Sequence, residues 1–88
     1  MRAVVFETSF SAGRDRLCLR LIQEVGGVKV ERELIEADGH TQTQVLCFSV
    51  LDELKNFLEA DPYYNDHQSK FIQINAKALA HIRANDKP

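Results

Sequence analysis

"RLCLRLIQEVGGVKVERELIEADGHTQTQVLC", Arg16 to Cys47, is the stretch whose reading decides the fold. From Arg16 to Val25 the residues alternate: Leu17, Leu19 and Leu21 point one way, and Cys18, Arg20 and Ile22 the other. Gly26-Gly27 interrupts the run, after which Val28, Val30 and Leu34 resume the alternation. Two alternating runs joined by a glycine pair predict an antiparallel hairpin with a two-residue loop. Such a loop pairs Val25 with Val28, setting Glu24 opposite Lys29, Arg20 opposite Glu33 and Leu19 opposite Leu34. Two opposite-charge pairs and an apolar pair favour this register, each by roughly 0.2–1 kcal/mol.

Asp38-Gly39 is a second hairpin signal. If Ala37 pairs with His40, then Leu34 meets Thr43, Arg32 meets Val45, and Val30 meets Cys47. One face of this meander carries Leu17, Leu19, Leu21, Val25, Val28, Val30, Leu34, Val45 and Cys47, which is the composition of a core. The other carries Cys18, Arg20, Ile22, Glu24, Lys29, Glu31, Glu33, Ile35, Gln42, Gln44, Leu46 and Phe48, and is half polar. Cys18 and Cys47 fall on opposite faces, so no disulfide joins them. Arg32 is the one charge on the core face; its stem is expected to pack at an edge while its head reaches water.

Working outward, Ala3 to Phe6 reads as a short strand, followed by a polar loop containing Gly13. At Ser49 the period changes: Ser49 and Asp52 make a capping-box-like start, and Val50, Leu51, Leu54, Phe57 and Leu58 recur at helical spacing until "EADP" ends the run at Pro62. This helix is expected to cover the apolar face. "PYYNDHQS" reads as a polar loop, Lys70 to Ile74 as a strand, and Asn75 as the cap of a short helix, Ala76 to Ala84, striped by Leu79 and Ile82. The expected class is α+β: an antiparallel meander of about four strands covered by one helix, then a short strand and a C-terminal helix (β-β-β-β-α-β-α). Residues 1–84 form a single domain and 85–88 a short tail.

Four antiparallel strands followed by a covering helix resembles, in element order alone, the PUR-repeat and related single-strand-binding coactivator proteins. Their residue motifs are not found here. The resemblance implies dimerisation and binding of single-stranded nucleic acid on the sheet, at the level of fold analogy.

At 88 residues the chain has room for one small core, so a self-association surface is expected, and the thinly striped last helix is its expected seat. The first apolar run is too short for a signal peptide and no later one reaches the roughly 18 residues of a membrane span, which predicts a cytoplasmic protein without a membrane partner. Two cysteines with no zinc-ligand spacing predict reduced thiols and no metal. Net charge is −2, split as +2 over residues 1–30, −7 over 31–66 and +3 over 67–88.

No nucleophile-elbow, phosphate-loop, dinucleotide or zinc-protease motif occurs, and His40, His67 and His81 have no helical partner at four residues, so no enzyme and no cofactor are expected. Cys18 supports a weaker enzyme reading, through a thiol whose pKa Arg16 and Arg20 would lower; an inert strand thiol is the plainer account. "SFSAGRDRLCLR", Ser9 to Arg20, concentrates basic charge. Arg14, Arg16 and Arg20, with Ser9, Ser11 and the backbone around Gly13, could cradle a phosphate; against this, Arg20 could pair with Glu33, and Arg16 with Glu36 or Asp15. The leading expectation is a small non-enzymatic protein that binds single-stranded DNA or RNA through Arg14, Arg16, Arg20 and Lys29, with Phe10 and Phe48 as stacking platforms. The alternative is a protein-interaction adaptor using the acidic middle and the Tyr63-Tyr64 loop beside Lys70.

Overall fold

The structure, a computed structural model, describes the backbone of residues 4–85 and the side chains of 4–82. Four strands, β1 (Val4–Ala12), β2 (Asp15–Glu24), β3 (Gly27–Ile35) and β4 (Thr41–Phe48), form one antiparallel sheet in chain order, followed by α1 (Leu51–Glu59) and α2 (Gln68–Asn85). The α+β class and the antiparallel meander therefore stand. The expected strand at Lys70–Ile74 does not exist: that segment and the expected last helix are one continuous α2. Phe71, Ile74, Ala78 and Ile82 are buried at helical spacing, a period that overrides the β propensity of phenylalanine and isoleucine. Asn75, expected as a cap, lies in mid-helix, and its Oδ1 is buried without a hydrogen-bond partner. Asn85, expected in a tail, closes α2; residues 86–88 and the expected strand start at Ala3 lie outside the described residues.

β1 is longer than expected. Its residues Phe6, Thr8, Phe10 and Ala12 pair with the inward row of β2, whereas Glu7, Ser9 and Ser11 pair with the outward row. What reads as a polar loop is thus strand as far as Ala12, with Gly13 and Arg14 alone forming the turn and Gly13 at φ 66°.

The β2–β3 turn is Val25–Gly26, so Glu24 pairs with Gly27, Leu21 with Val30 and Arg20 with Glu31. The expected register is off by two residues, which leaves the side chains within β2 and β3 on their expected faces. The two glycines do different work. Gly26 supplies φ 83°, while a Cβ on Gly27 would lie 2.1 Å from the carbonyl oxygen of Phe48. Val25, expected in the core, is fully exposed at the turn.

At the β3–β4 turn the slip is one residue. Asp38-Gly39 sits in a three-residue loop: Glu36 N–H donates to His40 O, Gly39 N–H donates to Glu36 O, and Gly39 has φ 96°. This is the three-residue hairpin that ends in a left-handed glycine. Val30 therefore meets Leu46, and Val28 meets Phe48. A one-residue slip inverts a strand, so Leu46 and Phe48 face inward while Val45 and Cys47, expected in the core, are exposed.

Both helices lie on the inward face, in two layers. Leu17, Leu19, Leu21 and Val28 are completely buried against Leu54 and Leu58 of α1 and Phe71, Ile74 and Ala78 of α2. Full burial of each large side chain stabilises the fold by roughly 1.5–3 kcal/mol. The N-cap of α1 falls one residue after the expected Ser49: it is Val50, with no side-chain hydrogen bond, and Asp52 and Glu53 in the first turn complement the helix dipole.

Candidate interaction surface: the outer sheet face and the β4 edge

With both helices on one side, the opposite face of the sheet has no helix over it. The arginine-rich stretch lies here as a hairpin, not as a cradle. Ser9 and Ser11 sit on the strand ladder, paired with Cys18 and Arg16. Arg16 Nη2 donates to Ser9 Oγ at 2.7 Å, and Arg14 is exposed in the turn.

Arg20 occupies the middle of the face, directly between Glu7 on β1 and Glu31 on β3. Its Nε meets Glu7 Oε2 at 2.5 Å, and its Nη1 lies 3.3 Å from Glu33 Oε1 and 3.7 Å from Glu31 Oε1. The hydrogen bond it donates to Glu7, ahead of the pull of Glu33, holds its pKa above the ordinary arginine value. Lys29 Nζ is likewise 3.4 Å from Glu24 Oε1. Arg16, Arg20 and Lys29 therefore share this face with Glu7, Glu24, Glu31 and Glu33, and two of the three cations are engaged by carboxylates. Among the described residues, Arg14 and Arg16 make no ion pair.

The aromatic residues are elsewhere. Phe10 is buried on the inner face, with ring centroids 4.2 Å from His67 and 5.9 Å from Phe71. Phe48, moved inward by the β4 inversion, packs on Phe57 at 5.4 Å. Neither ring is a platform on the outer face. Tyr63 and Tyr64, expected in a polar interaction loop, are half-buried against the core, Tyr64 with its ring 5.5 Å from Phe71. Lys70 lies in the first turn of α2, not on a strand. His67 is half-buried, packed against Phe10.

Arg32 also departs from expectation. Its head does not reach water: Nε donates to Asp61 Oδ2 at 2.5 Å and Nη2 to Asp61 Oδ1 at 3.2 Å. Only 13% of the Arg32 side chain and 4% of the Asp61 side chain are exposed. Asp61 Oδ1 also accepts from Tyr63 N–H at 3.0 Å, so this pair fastens the α1–α2 connection to the sheet.

The two sheet edges differ. β1 is interrupted by a bulge between Val4 and Phe6 and carries Glu7, two devices that discourage a further strand. β4, "TQTQVLCF", has eight residues with no charge, proline, glycine or bulge. Six of the eight are exposed, with Leu46 and Phe48 half-buried. Antiparallel hydrogen bonds engage alternate residues, and the Glu36–His40 bond sets the phase: Thr41, Thr43, Val45 and Cys47 turn their backbone N–H and C=O groups away from β3. Beside this edge, on the inner side, a groove of about 260 Å³ is lined by Arg32, Gln44, Phe57, Ala60, Asp61 and Pro62. At the far end of β4, Asp38 accepts from His40 N–H and contacts His40 Nδ1 at 2.7 Å; the backbone bond first, then the ring, hold its carboxyl below the ordinary aspartate range.

Cys18 and Cys47 are free thiols. Both lie on the outer face, correcting the expectation of opposite faces. Among the described residues, no three His, Cys, Asp or Glu side chains converge as metal ligands would, and no helix is long and apolar enough to cross a membrane. The signal for the β4 edge was present in the sequence as eight consecutive uncharged residues at the end of a meander. No family model, curated protein or solved structure matches this chain.

Proposed function

We propose that this chain is a small non-enzymatic interaction protein whose β4 edge accepts an extended strand from a protein partner. The observation that carries this reading is the contrast between an unguarded, uncharged β4 and a bulged, charged β1. Strand addition supplies main-chain hydrogen bonds along the edge, and a neighbouring pocket supplies side-chain choice. The groove beside Gln44, with Phe57, Ala60 and Pro62 as its apolar wall, has the size to take one large side chain of the added strand. Two separate free thiols accord with a reducing, cytoplasmic setting.

The test is selection of eight-residue peptides from a displayed library, repeated on Val45→Pro. Proline at Val45 removes an outward-facing N–H that β3 does not use, so the fold is retained while the edge is disabled. Selected peptides should bind the native chain and lose at least tenfold in affinity for the variant. Equal binding to both, or no enrichment on a native chain that is monomeric, overturns the reading.

A second reading is contact with single-stranded nucleic acid at the β1–β2 turn. It is favoured by one observation: Arg14 and Arg16 extend from the same end of the sheet without a carboxylate partner among the described residues. Arg20 and Lys29 lend it little, being paired, and Phe10 and Phe48 lend it none.

A further inference from the structure

We infer that the strand seated on the β4 edge is β4 of a second copy, paired antiparallel about a two-fold axis at Val45 to make one eight-stranded sheet. The inference rests on the strand-accepting reading of that edge. Three observations select this occupant. The strand is uncharged throughout, so laying it against itself brings no like charges together. An axis normal to the sheet keeps outer residues opposite outer residues, and it places Val45, 49% exposed in the single chain, against Val45 of the second copy. The same register sets Leu46 of the second copy opposite Gln44, at the mouth of the groove lined by Phe57 and Pro62.

The other edge explains why pairing stops at two copies. An isologous contact uses the same strand from each subunit, and the remaining edges of the joined sheet are both β1, each with its bulge and Glu7. The surface is distinct from the last helix, whose Phe71, Ile74, Ala78 and Ile82 are buried in the chain's own core.

Cys47 makes the register measurable. With Val45 on the axis, Cys47 lies opposite Thr43 of the second copy; with the axis at Gln44 it would lie opposite Thr41. Within one chain Cys47 is four residues from Thr43 along a strand, roughly 13 Å and beyond the reach of a disulfide. The experiment is sedimentation equilibrium of the native chain from about 10 to about 500 μM, with oxidation of Thr43→Cys and Thr41→Cys by oxidised glutathione. A dimer is expected, with covalent dimer from Thr43→Cys forming at least tenfold faster than from Thr41→Cys or the native chain.

A monomer throughout the range, or a dimer that neither variant cross-links faster than the native chain, overturns the self-pairing. Faster cross-linking of Thr41→Cys overturns the Val45 register. If the chain is monomeric but selected peptides still depend on the Val45 N–H, the strand-accepting reading stands and only the second copy is excluded. If both measurements fail, the reading falls with the inference.

Discussion

Each face of the sheet holds a central arginine, and the two are built to different rules. Arg32, on the inner face, has one partner, Asp61, joined to it through two hydrogen bonds across 29 residues of chain. Arg20, on the outer face, is 28% exposed and shared among Glu7, Glu31 and Glu33. The first acts as a fastener in a low-dielectric layer, where an unpaired charge is costly. The second is the hub of a wetted charge cluster, where each contact is weak and screened. The same residue type is thus a fastener on one face and only a weak, screened contributor on the other, and counting arginines says little about binding.

The largest effect should come from breaking the inner pair. Arg32→Ala leaves the buried Asp61 carboxylate with only the Tyr63 N–H, and should destabilise the fold by about 3 kcal/mol in urea unfolding, with little dependence on salt. Arg32→Met with Asp61→Asn removes both charges but keeps the acceptor for Tyr63, and should recover most of that loss. If the single variant costs no more than an exposed pair does, the clamp is not a clamp.

On the outer face, Arg20→Ala should cost about 1 kcal/mol at low salt, partly through repulsion among the three carboxylates it leaves behind. That cost should shrink as salt is raised, unlike the inner variant. Equal salt dependence for the two would erase the contrast between the two faces.

Smallest is Arg14→Ala with Arg16→Ala, expected to change stability by no more than about 0.5 kcal/mol because neither guanidinium meets a carboxylate among the described residues. The pair also decides the nucleic-acid reading. Fluorescence anisotropy of a single-stranded oligonucleotide at about 50 and about 200 mM salt should show weaker binding and a flatter salt slope in the double variant if these arginines meet phosphate. Unchanged binding removes that site, and the protein-partner reading is left alone.

The two hairpins show how much of the fold was legible. At Gly26-Gly27 the slip of two residues cost nothing in the assignment of faces, because side chains repeat every second residue. At Asp38-Gly39 a slip of one inverted β4, since the same dipeptide serves a two-residue and a three-residue loop. That single residue moved Phe48 from the outer face to the core, and Val45 and Cys47 out of it. Two missed elements did carry a local signal. The period of two from Phe6 through Ala12 marks β1, and the spacing of Phe71, Ile74, Ala78 and Ile82 marks α2 as one helix.

The positions of both later hairpins, the faces of β2 and β3 and the helix after Ser49 were determined by sequence alone, because alternation, turn chemistry and helical period act over a few residues. The pairing of Arg20 with Glu33 was already legible in the strand alternation, whereas the Arg32–Asp61 pair and the burial of Tyr63 and Tyr64 were decided only by tertiary structure. Each depends on which surfaces, distant along the chain, exclude water from one another, and no local pattern records that.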